Sequence, residues 1–455
     1  MWKFFNQNIV KTGRIKVLWL FLFLIIKFIH AMKNQLFFVL ILFCWVACSQ
    51  KENVKPQVFE YAVNPGQAGV TEERLIYIDN LLQEYVDKGI IPHALTFVAK
   101  NGVVIHNKAY GWSNVESETP LKKDDIFRNF SQTKAVATVA LMTLFEQGKF
   151  QLDDPVSKYI PECTDQVLLA LADDGSATTR KVASPLTIRH LLCHTSGISG
   201  NRDISRLRAQ QMAKRDNKPY ETLAEDVKNL VQLPLAFDPG TQWSYHPSSD
   251  VCGYLVEFFS GMSLREYVKD NILIPLGMND TDWYYPEEYK SRMVTTYTER
   301  DGKLEPMANA WSGRDPFGSD TRYCQAGTGL NGKIEDYARF CQMILNGGEF
   351  NGKRILGRRT IEIMSEDQLP HPNNGGAGFC FGLGFQIYAD QNAADKPIGD
   401  VTPMVTPGSL SWGGMHNTDY IIDPKENMII LLYTNRIPDT KVWEKFLNTL
   451  YQAIE

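Results

Sequence analysis

The chain contains 455 residues, of which 44% are hydrophobic and 22% charged, and its formal net charge is −5. This length allows one large fold or two to three domains, with enough apolar residues for an extensive core. The charge is nearly balanced and the sequence contains no block of basic residues, which argues against a nucleic-acid partner.

The N-terminal segment contains two apolar runs, Val17 to Ile29 and Leu36 to Ala47, each preceded by basic residues. Both are shorter than the roughly 20 apolar residues that a membrane-crossing helix requires, although a transmembrane anchor is the alternative interpretation. Cys48 follows the second run directly, as in a bacterial lipoprotein signal, except that Trp45 stands where an aliphatic residue is usual. We therefore expect a lipoprotein-type signal with a lipid on Cys48.

This interpretation divides the chain into segments. Residues 32–47 are expected to be the signal peptide, 48–69 a polar tether and 70–455 the folded domain, whereas 1–31 lie upstream of the true start or extend the signal. The predicted location is the bacterial cell envelope, periplasmic or at the surface, with the protein anchored to a membrane through its lipid.

The folded domain begins with a predicted helix and a predicted β-hairpin. Apolar residues recur at helical spacing between Glu72 and Asp87. Two strand-like runs, Ala94 to Ala99 and Val103 to Ala109, flank Lys100-Asn101-Gly102. An Asn-Gly pair between such runs predicts a tight hairpin.

Ser131 and Lys134 stand at the start of an alanine-rich apolar segment that we predict to be a helix ending near Gln147, with Gly148 as its stop signal. Residues three apart on a helix share one face, so the lysine amine is placed near the serine hydroxyl. A serine hydroxyl needs a neighbouring base to become a nucleophile, and lysine is a candidate. Because the motif is short, a capping serine followed by a solvated lysine is the structural alternative.

The remaining elements predict an α+β protein. The patterns of about residues 163–293 are mostly helical, and we expect a second, helical lobe there. Strand patterns return at Gly382 to Ile387, Ser409 to Trp412, Asp419 to Ile422 and Met428 to Thr434, before a terminal helix from Lys441 to Ile454. We therefore predict an antiparallel sheet flanked by helices, with a ligand cleft between the two lobes.

Metal binding is not predicted. His190 and His194 are four residues apart, but no glutamate follows His190 as in metalloprotease motifs. The cysteines of the domain form no C-x-x-C pair, and their spacing leaves disulfides open; several are expected to be buried as small apolar groups. They are Cys163, Cys193, Cys252, Cys324, Cys341 and Cys380.

Three segments together resemble the serine β-lactamase and penicillin-binding protein superfamily, in particular its class C-like and esterase branch. They are Ser131-x-x-Lys134, the segment Phe237 to Asp250 and the segment Leu410 to Asp419, and Thr187 to Ile198 supports the match. The resemblance spans about residues 70–440. It implies a β-lactamase-like fold, acyl transfer through a covalent acyl-enzyme completed by water, and no cofactor.

The resemblance implies catalytic roles for three residues. Ser131 is expected to attack a carbonyl group and become acylated. Lys134 is expected to take or share its proton, and Tyr245, in the second segment, to shuttle protons during acylation and deacylation. Either Lys134 or Tyr245 could be the dominant base, because two such groups titrate as a coupled pair.

The third segment is expected to bind the substrate. The backbone N–H groups of Ser131 and Met415 are expected to form the oxyanion hole. Gly413 and Gly414 fit a strand whose backbone the substrate approaches closely, and Trp412 presents an apolar face to it. His416 is expected to line the cleft, with a surface position as the alternative.

Two departures from the family pattern decide the expected substrate. Pro247 stands where relatives carry an asparagine that contacts a substrate amide. Trp412-Gly413-Gly414 stands where β-lactamases carry Lys-Thr-Gly, whose lysine binds a substrate carboxylate. Both changes resemble the esterases of the branch, so small carboxylic esters are the expected substrates.

Other functions stay open at this point. The first alternative is a β-lactamase or a D-amino-acid peptidase or carboxypeptidase, whose substrates are amides or peptides. The second is a non-catalytic envelope lipoprotein that binds peptidoglycan fragments. Asp250 is expected to cap the helix that follows it. Gly327-Thr328-Gly329-Leu330 is expected to begin a helical stretch that shapes the cleft wall.

Overall fold

The computed structural model describes residues 57–61, 64–245, 247–307, 315–369, 379–389 and 404–455. These residues belong to one compact unit. The predicted signal peptide, Cys48 and the first part of the predicted tether lie outside the described residues. Within the described ranges, no helix is both long and apolar enough to cross a bilayer.

The strands are numbered in chain order. They are β1 Glu60–Tyr61, β2 His93–Lys100, β3 Val103–His106, β4 Ala109–Asn114, β5 Thr119–Pro120, β6 Phe127–Arg128, β7 Gln166–Leu171, β8 Ala177–Lys181, β9 Tyr297–Arg300, β10 Lys303–Pro306, β11 Asn331–Gly332, β12 Glu349–Phe350, β13 Lys353–Arg354, β14 Phe379–Phe381, β15 Gln386–Tyr388, β16 Leu410–Gly414, β17 Thr418–Asp423, β18 Met428–Tyr433 and β19 Arg436–Ile437.

The helices are numbered in the same way. They are α1 Glu72–Asp87, α2 Thr133–Glu146, α3 Ile188–Leu192, α4 Arg202–Ala213, α5 Leu223–Leu230, α6 Ser248–Ser260, α7 Leu264–Val268, α8 Ile274–Leu276, α9 Ile334–Leu345, α10 Arg358–Met364 and α11 Val442–Tyr451. Short 3₁₀ turns cover Pro65–Ala68, Phe130–Gln132, Val156–Lys158 and Glu287–Arg292, and a π-helical turn covers Lys269–Leu273.

Ten of the strands in the described ranges form one sheet. Its order is β1, β3, β2, β18, β17, β16, β15 and β14, while β4 pairs with β2 and β5. Only β1 and β3 run parallel; the other neighbours are antiparallel. Pairing of β2 with β18 joins the two ends of the domain, with Leu95 opposite Tyr433. The predicted α+β, β-lactamase-like fold is therefore confirmed.

The sheet separates two hydrophobic clusters. Alternate residues of β2 and β18 face opposite sides, as the two-residue period of a strand requires: Phe97 and Leu431 enter one cluster, while Val98 and Leu432 enter the other. The first cluster contains the helices of the second lobe, and the second contains α1 and α11. A large apolar side chain buried in such a core contributes roughly 1.5–3 kcal/mol.

Helix α2 lies inside the first cluster. Every residue from Thr133 to Leu144 is buried, which is typical of a helix that is apolar all round and surrounded by protein. It packs against α6. The helix that begins one residue after the Ser131 turn is therefore held on all sides, and its N-terminus is a fixed point of the structure.

Four local predictions need correction. The run from Val103 to Ala109 is split into β3 and β4. Residues from Gly382 to Phe385 form a turn between β14 and β15, with Gly384 at φ +86°. The β7–β8 hairpin was not predicted, because β8 is exposed along its whole length and shows no apolar alternation. Residues 327–330 form a loop.

Candidate active site

Ser131 lies in the 3₁₀ turn Phe130–Gln132 that precedes α2, and it is partly exposed. The residue before it, Phe130, has a left-handed backbone with φ +46°. A left-handed conformation is costly for a residue with a bulky side chain and persists only where the surroundings fix it. Here the Phe130 ring is buried and stacks on His416 with ring centroids 4.5 Å apart.

The turn is also fastened to the sheet by Gln132. Its side-chain amide donates to the Thr418 carbonyl at 2.9 Å, and its side-chain oxygen accepts from the Tyr433 hydroxyl at 2.6 Å. The Tyr337 hydroxyl donates to the Gln132 carbonyl at 3.1 Å. These buried hydrogen bonds tie the serine turn to β17, β18 and α9, so its position follows from the packing of the whole domain.

Lys134 contacts Ser131 as the helical spacing predicted. Its Nζ donates to Ser131 Oγ at 3.0 Å and to the Gly327 carbonyl at 2.7 Å, and the side chain is buried. The alternative of a solvated lysine is therefore wrong. The second contact comes from the loop after residue 326, which was predicted to shape the cleft but not to bind the lysine.

Asp250 holds that loop. It lies in the first turn of α6 and not at its N-cap, so the capping prediction is wrong. Its Oδ1 accepts from the Gly327 N–H at 3.0 Å. Burial raises the pKa of Asp250, the nearby Asp226 adds to this rise, and the Lys134 charge opposes it. Asp250 thus positions the carbonyl that accepts from Lys134.

Tyr245 reaches the same place from the segment before α6. Lys134 Nζ lies 4.7 Å from the centre of the Tyr245 ring, and Trp412 Nε1 donates to the Tyr245 hydroxyl at 3.1 Å. The rings of Tyr245 and Trp412 are 5.0 Å apart. The structure therefore brings together Ser131, Lys134 and Tyr245, which lie more than 100 positions apart at the extremes.

Strand β16 forms one wall of the site. It pairs with β15 only through Leu410 and Ser411 among the described residues, so the backbone from Trp412 onward is open on that side. Met415 follows the strand in a tight turn and is exposed. The N–H groups of an open strand edge can donate hydrogen bonds to an oxygen that becomes negatively charged in the transition state. This is the role expected for the Met415 N–H.

The glycines of β16 are required by contacts with other atoms of the protein. A Cβ on Gly414 would lie 2.0 Å from Thr418 Oγ1 and 2.6 Å from the Asn129 carbonyl. A Cβ on Gly413 would lie 2.0 Å from Asp419 Oδ1. Close approach of a substrate is therefore not the only reason for these glycines, because the protein's own atoms already exclude a side chain at both positions.

His416 does not line the cleft and does not lie at the surface, contrary to both expectations. It is fully buried beneath Phe130, and its Nε2 lies 3.1 Å from Met307 Sδ. Burial lowers the pKa of His416 to about 4, with the Arg128 charge as a smaller cause. The ring is therefore neutral near pH 7 and supports the residue that precedes Ser131.

A cavity of about 630 Å³ lies at the candidate active site. Ser131 and Tyr245 line it together with Trp412 and Met415, and Gln325 and Thr328 close it on the loop side. Its volume lies within the usual range for a site that binds a small molecule. The polar residues Gln386, Tyr388, Ser411 and Asp419 also line it; of these, Asp419 had no signal in the sequence beyond its place on a predicted strand.

The residues considered for metals have structural roles. The Thr187 backbone N–H donates to His190 Nδ1 at 3.2 Å and closes a capping box at α3. His194 packs against Trp243 and Phe381. In the described ranges, no group of three or more potential metal ligands occurs. The six domain cysteines are thiols, five of them buried as expected.

Two known esterases and a known hydrolase are similar to this chain. The lovastatin esterase of Penicillium rubens is 32% identical over 378 residues, which cover 77% of this chain and 90% of the relative. Esterase EstB of Burkholderia gladioli is 28% identical over 363 residues, 75% of this chain and 85% of the relative. The solved structure of EstCE1, described as a hydrolase with promiscuous acyltransferase activity, superposes with a TM-score of 0.69 at 25% identity, covering 84% of this chain and 99% of that one.

The model of the beta-lactamase family matches residues 78–445, a range that includes the serine turn, Tyr245 and the open edge of β16. The chain therefore belongs to the beta-lactamase family.

Proposed function

We propose that this protein is a serine hydrolase that cleaves small carboxylic esters through an acyl-enzyme on Ser131. The observation that supports esters over β-lactams and D-peptides is the charge of the cavity wall. Among the described residues that line it, none is a lysine or arginine, and the one carboxyl group belongs to Asp419. β-Lactams and D-peptides present a carboxylate, which would find no counter-charge beside Trp412.

Acylation follows from the contacts at Ser131. Its Oγ attacks the ester carbonyl carbon while its proton passes to the Lys134–Tyr245 pair, which lies within contact distance. The carbonyl electrons move to the oxygen, and the N–H groups of Ser131 and Met415 stabilise the resulting oxyanion. The carbon–oxygen bond to the alcohol then breaks, and the alcohol leaves with the proton held by the pair.

Deacylation reverses the roles. Water gives a proton to the same pair and attacks the acyl carbon, and the bond between that carbon and Ser131 Oγ breaks as the proton returns to Oγ. The products are a carboxylic acid and the original serine. The close contacts of Lys134 with Ser131 and Gly327 fix the proton acceptor in one place for both half-reactions.

Acyl transfer to an alcohol is a second candidate. An alcohol that enters the cavity in place of water would yield a new ester from the same acyl-enzyme. The size of the cavity and the described acyltransferase activity of EstCE1 support it. Adding increasing 1-butanol to a reaction with p-nitrophenyl butyrate tests it: butyl butyrate should accumulate at the expense of butyrate, and its absence contradicts the candidate.

The main test uses a fluorophosphonate probe and two chromogenic substrates. Wild type should be labelled and should hydrolyse p-nitrophenyl butyrate faster than nitrocefin, whereas Ser131→Ala should lose both labelling and turnover. Ser117→Ala changes an exposed serine that does not line the cavity; it is the matched control and should retain both. Faster nitrocefin hydrolysis would reject the ester preference, and no labelling of wild type would favour the non-catalytic peptidoglycan binder.

Export and lipid attachment belong to the same proposal. Cys48 at the end of an apolar run supports a lipid-anchored protein of the cell envelope. Metabolic labelling with an alkyne fatty acid in a bacterial host should mark the full chain in the membrane fraction, and Cys48→Ala should abolish the mark. Labelling that persists in Cys48→Ala would contradict a lipid on Cys48.

A further inference from the structure

The cavity has a second end beyond Gly413, which we call the polar end and define as Gln386, Tyr388, Ser411 and Asp419. Gly413 of β16 pairs with Asp419 of β17. Because Gly413 has no side chain, the Asp419 carboxyl covers its Cα from the neighbouring strand, as the 2.0 Å approach of a hypothetical Cβ to Oδ1 shows. The same cavity is thus lined by Ser131 and, on the side of the sheet that carries α11, by a carboxyl group.

The Asp419 carboxyl has no hydrogen bond or ion pair with any other residue that the structure describes. Its charged neighbours are acidic: Glu444 of α11 and Asp439 of the preceding loop. The nearest base in that loop, Lys441, already pairs with both of them, at 3.2 and 3.4 Å. Burial, followed by the charges of Asp439 and Glu444, raises the pKa of Asp419 to about 8.

A partly buried carboxyl without a partner is unfavourable unless a ligand supplies one. The ligand group that satisfies it best is a cation, because it compensates Asp419 and lies in the negative field of Asp439 and Glu444. The Tyr388 and Ser411 hydroxyls and the Gln386 side-chain oxygen offer further acceptors beside it. A neutral alkyl group at this position would leave the Asp419 carboxyl without a partner.

We propose that Asp419 is a specificity residue that binds a cationic group of the ester substrate at the polar end, while Ser131 attacks the ester carbonyl. This inference rests on the proposed esterase function and names its substrate class: esters that carry an ammonium group in the acyl or the alcohol portion.

Two isosteric substrate pairs test it at pH 8.5, where the Asp419 carboxyl is mostly ionised. For the alcohol portion, butyrylcholine is compared with 3,3-dimethylbutyl butyrate, which replaces the quaternary nitrogen by carbon. For the acyl portion, p-nitrophenyl 6-aminohexanoate is compared with p-nitrophenyl heptanoate. In wild type, kcat/KM should favour the cation at least about tenfold in one of the two pairs. In Asp419→Asn, that ratio should fall by about tenfold, mainly through KM for the cationic ester.

Asp173→Asn is the control, because it removes a carboxylate from an exposed position between β7 and β8 that does not line the cavity and is not a charged neighbour of Asp419; its ratio should stay within about twofold of wild type. Titration with the fluorophosphonate normalises every rate to the amount of reactive enzyme, so misfolded variants do not distort the ratios. A wild-type ratio near one in both pairs, or an equal ratio in wild type and Asp419→Asn, would overturn the proposal.

These measurements distinguish failure of the proposed esterase function from failure of the proposed role of Asp419. If wild type shows neither Ser131-dependent labelling nor any ester turnover, the proposed function itself is rejected. Turnover of the neutral esters without a cation preference would leave the esterase in place and reject only the role of Asp419.

Discussion

The two ends of the cavity differ in whether their polar side chains have partners within the protein. At the catalytic end, each polar group has a partner within the protein: Lys134 donates to Ser131 and Gly327, and Tyr245 accepts from Trp412. At the polar end, Asp419 has none among the described residues. A site whose polar groups are already paired keeps its geometry without a ligand, whereas an unpaired carboxyl gains most when a ligand arrives. The contrast assigns reaction chemistry to one end and selectivity to the other.

The largest expected effect at the catalytic end comes from removing the Lys134 amine. Lys134→Met keeps the length of the side chain but deletes the amine, so Ser131 loses its proton acceptor and the Gly327 carbonyl its donor. We expect kcat/KM for p-nitrophenyl butyrate to fall by about 10³-fold or more, measured by steady-state kinetics. Lys149→Met, an exposed lysine on the surface beyond α2, should remain at wild-type activity. If Lys134→Met keeps a tenth of the activity, the amine is not the essential base.

A smaller effect is expected when the wall of the catalytic end is displaced. Gly414→Ala places a methyl group against Thr418 Oγ1 and the Asn129 carbonyl, so β16 must move and the Met415 N–H shifts with it. Loss of one oxyanion donor costs about 10²–10³ in kcat, and we expect a fall of about 10². Thermal unfolding distinguishes this from loss of the fold. A variant with normal Tm and normal kcat would show that Met415 does not bind the oxyanion.

The sequence and the structure agree most closely where contacts are local. The Ser131–Lys134 contact follows from helical spacing, and the short runs rich in apolar residues predict β17 and β18. Tyr245 could be named only through the family resemblance, since nothing in its surroundings marks it. Gly327, Asp250 and Asp419 reach the site through contacts 77 or more positions away or across a strand pair. Such contacts depend on register and packing, which composition and periodicity do not determine.

The dependence on register and packing also explains why several local predictions were wrong. The predicted strand from Gly382 to Ile387 is apolar, but Gly384 adopts φ +86° and turns the chain into a hairpin. His416 is polar and follows an exposed methionine, so its complete burial under Phe130 has no counterpart in the sequence. Asp419 alternates with buried residues in β17, yet its facing glycine opens that position to the cavity.

A third prediction sharpens how the catalytic end is supported. His416 is neutral and stacked beneath Phe130, so it positions the Ser131 turn and exchanges no proton. His416→Ala removes the stack and should lower kcat about tenfold with little change in KM, whereas His416→Phe restores an aromatic surface and should recover most of kcat. Stopped-flow and steady-state kinetics measure the effects on kcat and on KM separately. If the phenylalanine variant is as impaired as the alanine variant, ring stacking is not the reason that His416 matters.

The smallest predicted effect concerns stability at the polar end. The pKa of Asp419 is raised to about 8 in the fold, against about 3.9 for an unperturbed aspartate, so the unfolded chain releases this proton first as pH rises. Asp419 therefore lowers the free energy of unfolding progressively from about pH 4 to about pH 8. Asp419→Asn does not titrate, so its Tm should exceed that of wild type at pH 8.5 by roughly 1–3 °C more than it does at pH 5.

Choline sharpens this last measurement, because it is a cation without an ester bond. At pH 8.5 it should raise the Tm of wild type relative to Asp419→Asn by pairing with the ionised carboxyl, while the same concentration of sodium chloride should not. If the Tm difference between the two proteins does not change with pH, the carboxyl is already compensated in the fold. The polar end would then need no cationic ligand, and the proposal that it selects the substrate while the catalytic end performs the reaction would be wrong.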